Sequence, residues 1–171
     1  RLDQSALLGD MNAGFKLAMR TLDIFRASVA GAALGMGRRA LHAAVNHVQS
    51  RQMFGQRLSD FQLTQARLGD MASLLDSAAL LTYRAAWLRD TAGSDGPAGS
   101  AYTQAAAMAK FTATENASQV IDMALQMHGG LGVMVGNKLE SLYRDIRSLR
   151  IYEGASEVQQ LIIGKSVLKG G

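Results

Sequence analysis

The sequence predicts an all-α fold, an antiparallel four-helix-type bundle with extra short helices at its C-terminal end. The chain is rich in Ala, Leu, Met and Gln, which favour helix. Its long segments carry apolar residues at spacings of three and four, whereas the two-residue alternation typical of strands is absent after Phe15. Long helices joined by short loops pack as a bundle.

The tail and the domain boundary follow from local composition. Residues 1–16 are predicted to be a tail or linker, because Gly9, Asn12 and Gly14 interrupt any helical pattern there. Residues 17–171 are predicted to form the helical bundle domain.

The first two long helices are predicted over about residues 18–51 and 60–91. The first carries a stripe formed by Val29, Ala33, Met36 and Ala40. The second carries a bundle-type seam formed by Met71, Leu74, Ala78, Leu81, Ala85 and Leu88. The glycines expected to let a neighbouring backbone approach the first helix closely are Gly31, Gly35 and Gly37.

A third long helix is predicted over about residues 100–128, after a Gly/Pro/Ser-rich loop at residues 93–99. Its buried face should consist of Ala106, Ala109, Ala113, Ala117, Val120, Ala124 and Met127. Gly129 and Gly130 should end this helix, as glycines after a helix C-terminus commonly do.

Two short helices complete the predicted fold, over about residues 138–147 and 156–168. Ser156 and Gln159 have the spacing of a capping box, in which each side chain bonds a backbone N–H at the helix start. An apolar run follows them, which supports a helix beginning at Ser156.

Composition excludes several classes of function. The chain has no cysteine, so it has neither a disulfide framework nor a thiolate metal site. His42 and His47 are five apart and point to different faces of a helix, and no metal site is predicted. The net charge of +4 is scattered among acidic residues, which favours a solvated surface or a phosphate-rich ligand over nucleic acid. No apolar run approaches the ~20 residues of a membrane span.

The segment at residues 150–159 holds the candidate catalytic group. Glu153 lies in a tight turn, where Gly154 supplies backbone freedom, immediately before the last helix. A carboxylate fixed by backbone in this way is suited to act as a general base. For the turn alone, the alternative is a solvated carboxylate favoured by the helix dipole.

Four blocks of sequence, in order along the chain, resemble the C-terminal domain of the acyl-CoA dehydrogenase family. The blocks are Leu22–Arg26, Arg51–Gly55 with Leu58, Gln126–Gly132, and Tyr143–Asp145 leading into Ile151–Gly154. The resemblance covers nearly the whole chain. It implies that the tail follows a β-domain and that this chain is one part of such an enzyme.

The resemblance implies FAD as the cofactor. The residues that it assigns to FAD binding are Arg51, Phe54, Gln62, Gln126, Met127, His128, Gly129, Gly130, Ala155, Ser156 and Glu157. Arg51 would pair with the pyrophosphate across a subunit interface, with the turn at Phe54 packing beside it. The segment 126–130 would contact the adenosine-diphosphate part of FAD in the neighbouring subunit. Without the resemblance, both features would be ordinary helix ends.

The implied reaction is α,β-dehydrogenation of an acyl-CoA thioester, in which Glu153 removes the α-proton and a hydride passes to the flavin. Asp23, Arg26 and Gly154 are assigned to the acyl-CoA site. From spacing alone, Asp23 and Arg26 would be a helix-surface ion pair worth under ~0.5 kcal/mol. Ala155 replaces a common family Thr, and Phe25 stands where some relatives carry the base, which leaves Glu153 as the candidate.

The resemblance also implies fatty acid metabolism, a homotetramer built as a dimer of dimers, and an electron-transfer flavoprotein as electron acceptor. We expect no nucleic-acid partner, a bacterial cytoplasmic location rather than the mitochondrial matrix, and an isolated fragment without activity. Two alternatives stay open: an acyl-CoA oxidase-type relative that uses oxygen, and a non-catalytic helical oligomerisation module.

Overall fold

The computed structural model describes residues 3–92 and 97–170, with the backbone alone at residues 92, 97, 98 and 100. Within them lie the helices α1 (Gly14–Ser50), α2 (Gln62–Ala92), α3 (Pro97–His128), α4 (Lys138–Leu149) and α5 (Ser156–Leu168). Two short strands, β1 (Gln52–Met53) and β2 (Gln56–Arg57), pair antiparallel between α1 and α2. Short 3-10 turns cover Gln4–Ala6, Leu58–Asp60 and Gly129–Val133.

The all-α prediction is confirmed, with helix ends displaced by a few residues. Helix α3 begins at Pro97, where proline fits because the first helical N–H has no intrahelical partner. Residues 97–99 of the predicted loop are therefore helical, and residues 93–96 lie outside the described residues. The division between residues 1–16 and 17–171 stays a prediction.

The hairpin of β1 and β2 adds to the predicted fold. Each strand has only two residues, too few to produce a two-residue periodicity in the sequence. The turn requires left-handed backbone at Phe54 (φ 50°) and Gly55 (φ 81°), and glycine adopts that conformation without a steric cost.

Helix α3 is the centre of the bundle and contacts every other helix. Against α2 it runs antiparallel: the Asn116 amide donates to the Leu74 carbonyl at 2.8 Å, while Arg84 lies 3.9 Å from the Met108 sulfur. None of the described helices combines the length and the hydropathy that crossing a bilayer requires.

Helices α1 and α3 run parallel. Near the start of both, the Tyr102 hydroxyl donates to the Asp23 carbonyl at 3.0 Å. Near the end of both, the rings of His47 and His128 stack. The three long helices therefore run up, down and up, and both ends of α3 face α1.

The core between the long helices is built largely from alanine. The core alanines are Ala30, Ala33, Ala40, Ala44, Ala78, Ala79, Ala85, Ala105, Ala109, Ala113, Ala117 and Ala124. Small side chains let helix axes approach closely. Each alanine buries little apolar area, and the many close contacts between the helices compensate for this. The predicted seam of α2 is buried at Met71, Ala78 and Ala85 and half-buried at its three leucines, and the predicted buried face of α3 is confirmed except at Met127, which is half-buried.

The glycines of α1 differ in role. A Cβ at Gly37 would lie 2.6 Å from Leu75 Cδ2 and 3.4 Å from Ala117 Cβ, so Gly37 does permit a close approach. Gly31 and Gly35 are exposed, with nothing within 4 Å of such a Cβ. The predicted close approach is wrong for these two, because they lie on the solvent side of the helix.

We predict that Gly37→Val destabilises the bundle by about 1–3 kcal/mol, because the added methyl groups overpack the three-helix contact. Gly35→Val is the matched control: the helix and the substitution are the same, but the site is open, and its stability should change little. Urea unfolding of both variants measures the difference. Equal stability losses would show that the contact at Gly37 is not tight.

Candidate active site

The turn between α4 and α5 holds Glu153 in a left-handed conformation. Its φ is 56° and that of Gly154 is 90°, and such backbone costs a non-glycine residue about 1 kcal/mol or more. Hydrogen bonds from two helices hold the turn. Lys110 Nζ and Gln159 Nε2 each donate to the Gly154 carbonyl at 2.8 Å, and Gln159 Nε2 also lies 3.3 Å from the Glu153 carbonyl.

Gly154 is required at its position by geometry as well as by its φ. A Cβ there would lie 2.5 Å from Gln159 Nε2. Any side chain would therefore displace the donor that holds the turn. The freedom attributed to Gly154 from the sequence is confirmed, and the structure adds the close approach of Gln159.

The carboxylate of Glu153 is partly shielded and incompletely paired. The residue is half-buried, and its Oε2 atom is buried with no hydrogen-bond partner in the described part of the chain. The N–H groups of residues 153–155 also donate to no acceptor there. Because buried polar atoms are nearly always paired, the free Oε2 atom and the N–H groups beside it form a polar surface suited to a bound molecule.

Lys110 is the buried cation nearest this turn, and its side chain is completely buried. Burial lowers its pKa below the usual value, and the positive charges of Arg26 and Arg150 act in the same direction. The carboxylates of Glu115 and Glu153 oppose that shift. Lys110 was not predicted as a site residue.

The sequence did contain a signal for Lys110. Lys110 lies four residues after Ala106, and three and seven residues before Ala113 and Ala117. It therefore lies on the buried stripe of α3. A lysine at such a position must have partners inside the fold. Gln159 carries no comparable signal, because glutamine is common in the exposed first turn of a helix.

Asp23 and Arg26 form an ion pair as their spacing predicts, but its placement at the helix surface is wrong. Arg26 is only 5% exposed. Thr103 Oγ1 donates to Asp23 Oδ2 at 2.5 Å, and the Tyr102 hydroxyl bonds the Asp23 carbonyl. The pair is buried because α3 packs across it, and α3 is distant in sequence.

The predicted capping box at the start of α5 is wrong. Helix α5 begins at Ser156 as predicted, and Ala155 precedes it as the N-cap without a side-chain hydrogen bond. The Ser156 hydroxyl donates to Glu115, which also pairs with Arg150 at 2.7 Å. Gln159 reaches backbone carbonyls of the preceding turn, so both side chains serve tertiary contacts.

A second candidate site lies at the C-terminal ends of α1 and α3. It is a cavity of about 750 Å³ lined by His47, Arg51, Met53, Leu58, Thr64, Gln126, Met127, His128, Gly129, Gly130 and Leu131. The structure thus brings together Arg51 and segment 126–130, two blocks that are far apart in sequence. Phe54 and Gln62 lie outside this lining. Phe54 is 91% exposed, and its expected packing at a subunit interface stays a prediction.

The mouth of this cavity suits a phosphorylated ligand. Added Cβ atoms at Gly129 and Gly130 would meet nothing within 4 Å, so their backbone is open to approach. Gly129 has a φ of 57° and follows the last residue of α3, which confirms the predicted helix end. Arg51 contributes a guanidinium group, which matches phosphate geometry.

Two imidazole rings form one wall of the cavity. His47 and His128 stack with centroids 4.1 Å apart and an interplanar angle of 22°. His128 Nδ1 lies 2.8 Å from the Ala124 carbonyl. Burial lowers the pKa of His47 below 6.5, and the charges of His128 and Arg51 lower it further. His47 was not predicted as a site residue. The signal available in the sequence was its position one helical turn before Arg51.

The two candidate sites are well separated. Lys110 and Gln126 mark them on α3, and sixteen helical residues at 1.5 Å each give a separation of ~24 Å. Ala155 is half-buried beside the first site, and Glu157 is exposed on the first turn of α5. Among the described residues, no three His, Asp or Glu side chains cluster as metal ligands would.

Comparison with known proteins assigns the stretch of chain that contains both candidate sites to one family. The family described as "Acyl-CoA dehydrogenase, C-terminal domain" matches residues 12–168. The human mitochondrial short-chain specific acyl-CoA dehydrogenase is 41% identical over 99% of this chain. Subunit CarC of the caffeyl-CoA reductase–Etf complex of Acetobacterium woodii is 41% identical over 95% of it.

A solved structure agrees with these relatives. Butyryl-CoA dehydrogenase from Megasphaera elsdenii superposes with a TM-score of 0.90 and 35% identity over 98% of this chain. The chain spans 42% of that protein, 39% of the human relative and 41% of the Acetobacterium relative. The likeness therefore concerns one part of longer proteins.

We predict that His47 makes the protein less stable as pH falls below 6.5. The unfolded imidazole takes up a proton near 6.5, whereas the folded one resists protonation because its pKa is lowered. The unfolded state then binds more protons, so stability decreases from pH 6.5 down to the folded pKa and levels off below it.

His47→Gln should flatten this part of the curve of melting temperature against pH. Gln49→Ala is the control, since Gln49 is exposed on the same helix and has no titratable group, so the curve should keep its wild-type shape. A wild-type slope in His47→Gln would contradict the assignment.

Proposed function

Because this chain belongs to the acyl-CoA dehydrogenase family, as its C-terminal domain, we propose that it supplies the base for FAD-dependent α,β-dehydrogenation of an acyl-CoA thioester. One observation carries the proposal. Glu153 presents a buried, unpaired carboxylate oxygen on a turn that Lys110 and Gln159 fix through its backbone. A general base needs this combination of fixed position and free lone pair.

The proton transfer follows from the local chemistry. The thioester carbonyl acidifies the α C–H bond, and Glu153 Oε2 takes that proton as the bond breaks. The unpaired N–H groups of the turn can donate to the substrate oxygen as negative charge grows on it. An acyl chain that expels water from the turn makes the carboxylate a stronger base. Bound FAD supplies the acceptor for the β-hydride, so the products are the enoyl thioester and reduced flavin.

The substrate-facing residues are proposed to include Asp23, Arg26 and Gly154. Arg26 keeps a buried Nε atom without a partner in the described part of the chain, which supports a polar ligand nearby. The flavin-facing residues are proposed to be Ala155, Ser156 and Glu157. Since the Ser156 hydroxyl is bonded to Glu115, Ser156 would contact the cofactor through its backbone.

The cavity beside Arg51 is proposed to hold the adenosine-diphosphate part of FAD. Its open glycine backbone and its guanidinium group fit a diphosphate. The ~24 Å between this cavity and Glu153 along α3 supports its serving the flavin of a neighbouring subunit. Reciprocal sharing of this kind requires a symmetric oligomer, which we propose to be a dimer of dimers.

The names of the relatives guide the remaining assignments. Short-chain and butyryl-CoA dehydrogenases favour a short acyl group, and the Etf-complex subunit favours an electron-transfer flavoprotein as partner. We propose a bacterial cytoplasmic location. The relative named as a reductase supports a second candidate, the reverse reaction, in which protonated Glu153 returns the proton to the α-carbon.

We predict that Glu153→Gln in the full-length enzyme slows anaerobic flavin reduction by saturating acyl-CoA at least 10²–10⁴-fold, the range of a positioned general base. Glutamine keeps the shape and most hydrogen bonding, so substrate binding should survive. Stopped-flow bleaching of the flavin measures the rate.

Asp70→Asn provides the control, because it makes the same chemical change on an exposed carboxylate that pairs loosely with Arg67. It should reduce the flavin at the wild-type rate. If Glu153→Gln bleaches as fast as wild type, Glu153 is a helix-start carboxylate and nothing more.

We also predict that Arg51→Ala weakens FAD retention while leaving the thermal stability of the apoprotein nearly unchanged. Arg51 is exposed, so its removal costs little packing, whereas a lost phosphate contact costs about 1.5–3 kcal/mol, roughly 10- to 150-fold in affinity. Arg39→Ala, at another exposed arginine of α1, should retain FAD normally. Equal FAD affinities in wild type and Arg51→Ala would rule out the pyrophosphate role.

A further inference from the structure

We propose that the stacked rings of His47 and His128, the imidazole pair, take up one proton when the cavity beside Arg51 binds a diphosphate. The cavity thereby gains a positive charge at the moment when an anion enters it. The proposal rests on the proposed role of this cavity in holding the adenosine-diphosphate part of FAD. It assigns to the imidazole pair a part in cofactor retention that is separate from the reaction at Glu153.

The lining of the cavity carries cationic and titratable basic groups and no carboxylate. Helix α1 contributes His47, α3 contributes His128, and Arg51 follows the end of α1. The other lining residues, from α3, β1, the turn at residues 58–60, α2 and segment 129–131, are uncharged. The charged groups that act on His47 are His128 and Arg51. A bound diphosphate would therefore be the first negative charge next to the imidazole pair.

The stacking of the two rings limits the imidazole pair to a single added proton. Their centroids lie 4.1 Å apart, with an interplanar angle of 22°, and two positive charges so close together would repel each other. Burial and the charges of His128 and Arg51 already lower the pKa of His47 below its usual value. His47 is therefore largely uncharged near neutral pH in the protein alone.

The hydrogen bond of His128 shows why a proton is needed for binding to phosphate. Its Nδ1 atom lies 2.8 Å from the Ala124 carbonyl, and because a carbonyl only accepts, Nδ1 carries a hydrogen. In a neutral ring the other nitrogen, Nε2, is then an acceptor, and the oxygens of a diphosphate are acceptors too. Only after Nε2 gains a proton can His128 donate to a phosphate, through a charge-assisted hydrogen bond.

The sign of the coupling between proton and ligand follows from these charges. An imidazole beside a bound diphosphate keeps its proton to a higher pH, so the pKa of His47 rises from the lowered value that it has in the protein alone. Binding then takes up a proton. FAD affinity is highest below that lowered pKa and falls as pH rises toward the pKa of the loaded site, by at most about tenfold per pH unit for one proton.

The first test measures equilibrium binding of FAD to the full-length apoenzyme between about pH 5.5 and 8, by the quenching of flavin fluorescence. The double variant His47→Gln/His128→Asn cannot take up the proton, while the amide introduced by His128→Asn can still donate to the Ala124 carbonyl. Across this range, wild-type affinity should fall about tenfold more than that of the double variant. His47→Phe/His128→Phe, which keeps two rings that can stack, is the alternative if the first variant does not fold.

His42→Gln is the matched control. It removes an imidazole from the same helix α1, but His42 does not line the cavity. A group outside the cavity has the same surroundings with and without FAD, so its loss should leave the pH dependence of FAD affinity at the wild-type value.

A second readout counts the protons directly. Calorimetric titration of the apoenzyme with FAD near neutral pH, in two buffers that differ in ionisation enthalpy, gives the number of protons taken up per FAD. Wild type and His42→Gln should take up more protons than the double variants, by up to one. Neither this measurement nor the first depends on turnover.

Equal pH dependence and equal proton uptake in wild type and the double variants would overturn the proposal and leave the imidazole pair as a wall of the cavity. That result would not affect the pyrophosphate role of Arg51, which is decided separately by the FAD affinity of Arg51→Ala. Conversely, wild-type affinity in Arg51→Ala would remove the cavity from FAD binding, and the proposal for the imidazole pair would fail with it.

Discussion

The hydrogen bonds that meet at the Gly154 carbonyl join three parts of the molecule that the chain itself connects only loosely. Lys110 attaches the turn to the central helix α3, and Gln159 attaches it to α5. Beside them, Glu115 of α3 binds Arg150 and Ser156, on either side of the turn. The turn and the start of α5 are therefore held against α3 by buried polar contacts, since the buried residues of α5 are Ser156 and Gln159. Such contacts have directional geometry that apolar packing lacks.

The bundle makes these contacts possible because α3 is rigid and surrounded. Its alanine-lined faces pack closely against α1 and α2, so each polar side chain on it has a fixed position. The N-terminal half of α3 presents Thr103 and Lys110 to the ion pair of α1 and to the Glu153 turn. The other end presents His128 and Gly129 to the cavity beside Arg51. A single helix thus sets the separation between two sites that, in the proposed oligomer, serve different flavins.

The parts of the structure that could be predicted from sequence depend on local periodicity. The stripe through Met71 and Ala78, the helix end at Gly129 and the start of α5 at Ser156 all follow from neighbours within a few residues. Errors arose where distant segments decide the outcome. Ser156 has the sequence spacing of a helix cap, but its hydroxyl donates to Glu115 instead. The pair of Asp23 and Arg26 is buried only because α3 covers it.

The candidate site shows the same division. Glu153, Arg51 and segment 126–130 came from a resemblance to a family, and the structure assembles the latter two around one cavity. Lys110 and Gln159 could not be assigned in that way, because their roles depend on one carbonyl more than forty residues from Lys110 and on the strained conformation that places it. Only the charge of Lys110 within a buried alanine stripe gave a local signal.

A base that acts on a weakly acidic C–H bond has conflicting requirements. It must be held in place, it must be ionised, and one of its oxygens must be free to accept a proton. Hydrogen bonds to a carboxylate would hold it in place, but they would also occupy that oxygen. Here the backbone supplies the restraint. Left-handed residues and a carbonyl that accepts two hydrogen bonds fix the position of Glu153, while its Oε2 atom has no hydrogen-bond partner in the described part of the chain. The ammonium group of Lys110 is bonded to the neighbouring carbonyl of Gly154 instead. In the proposed mechanism, positioning and reactivity are thereby assigned to different atoms of the same short turn.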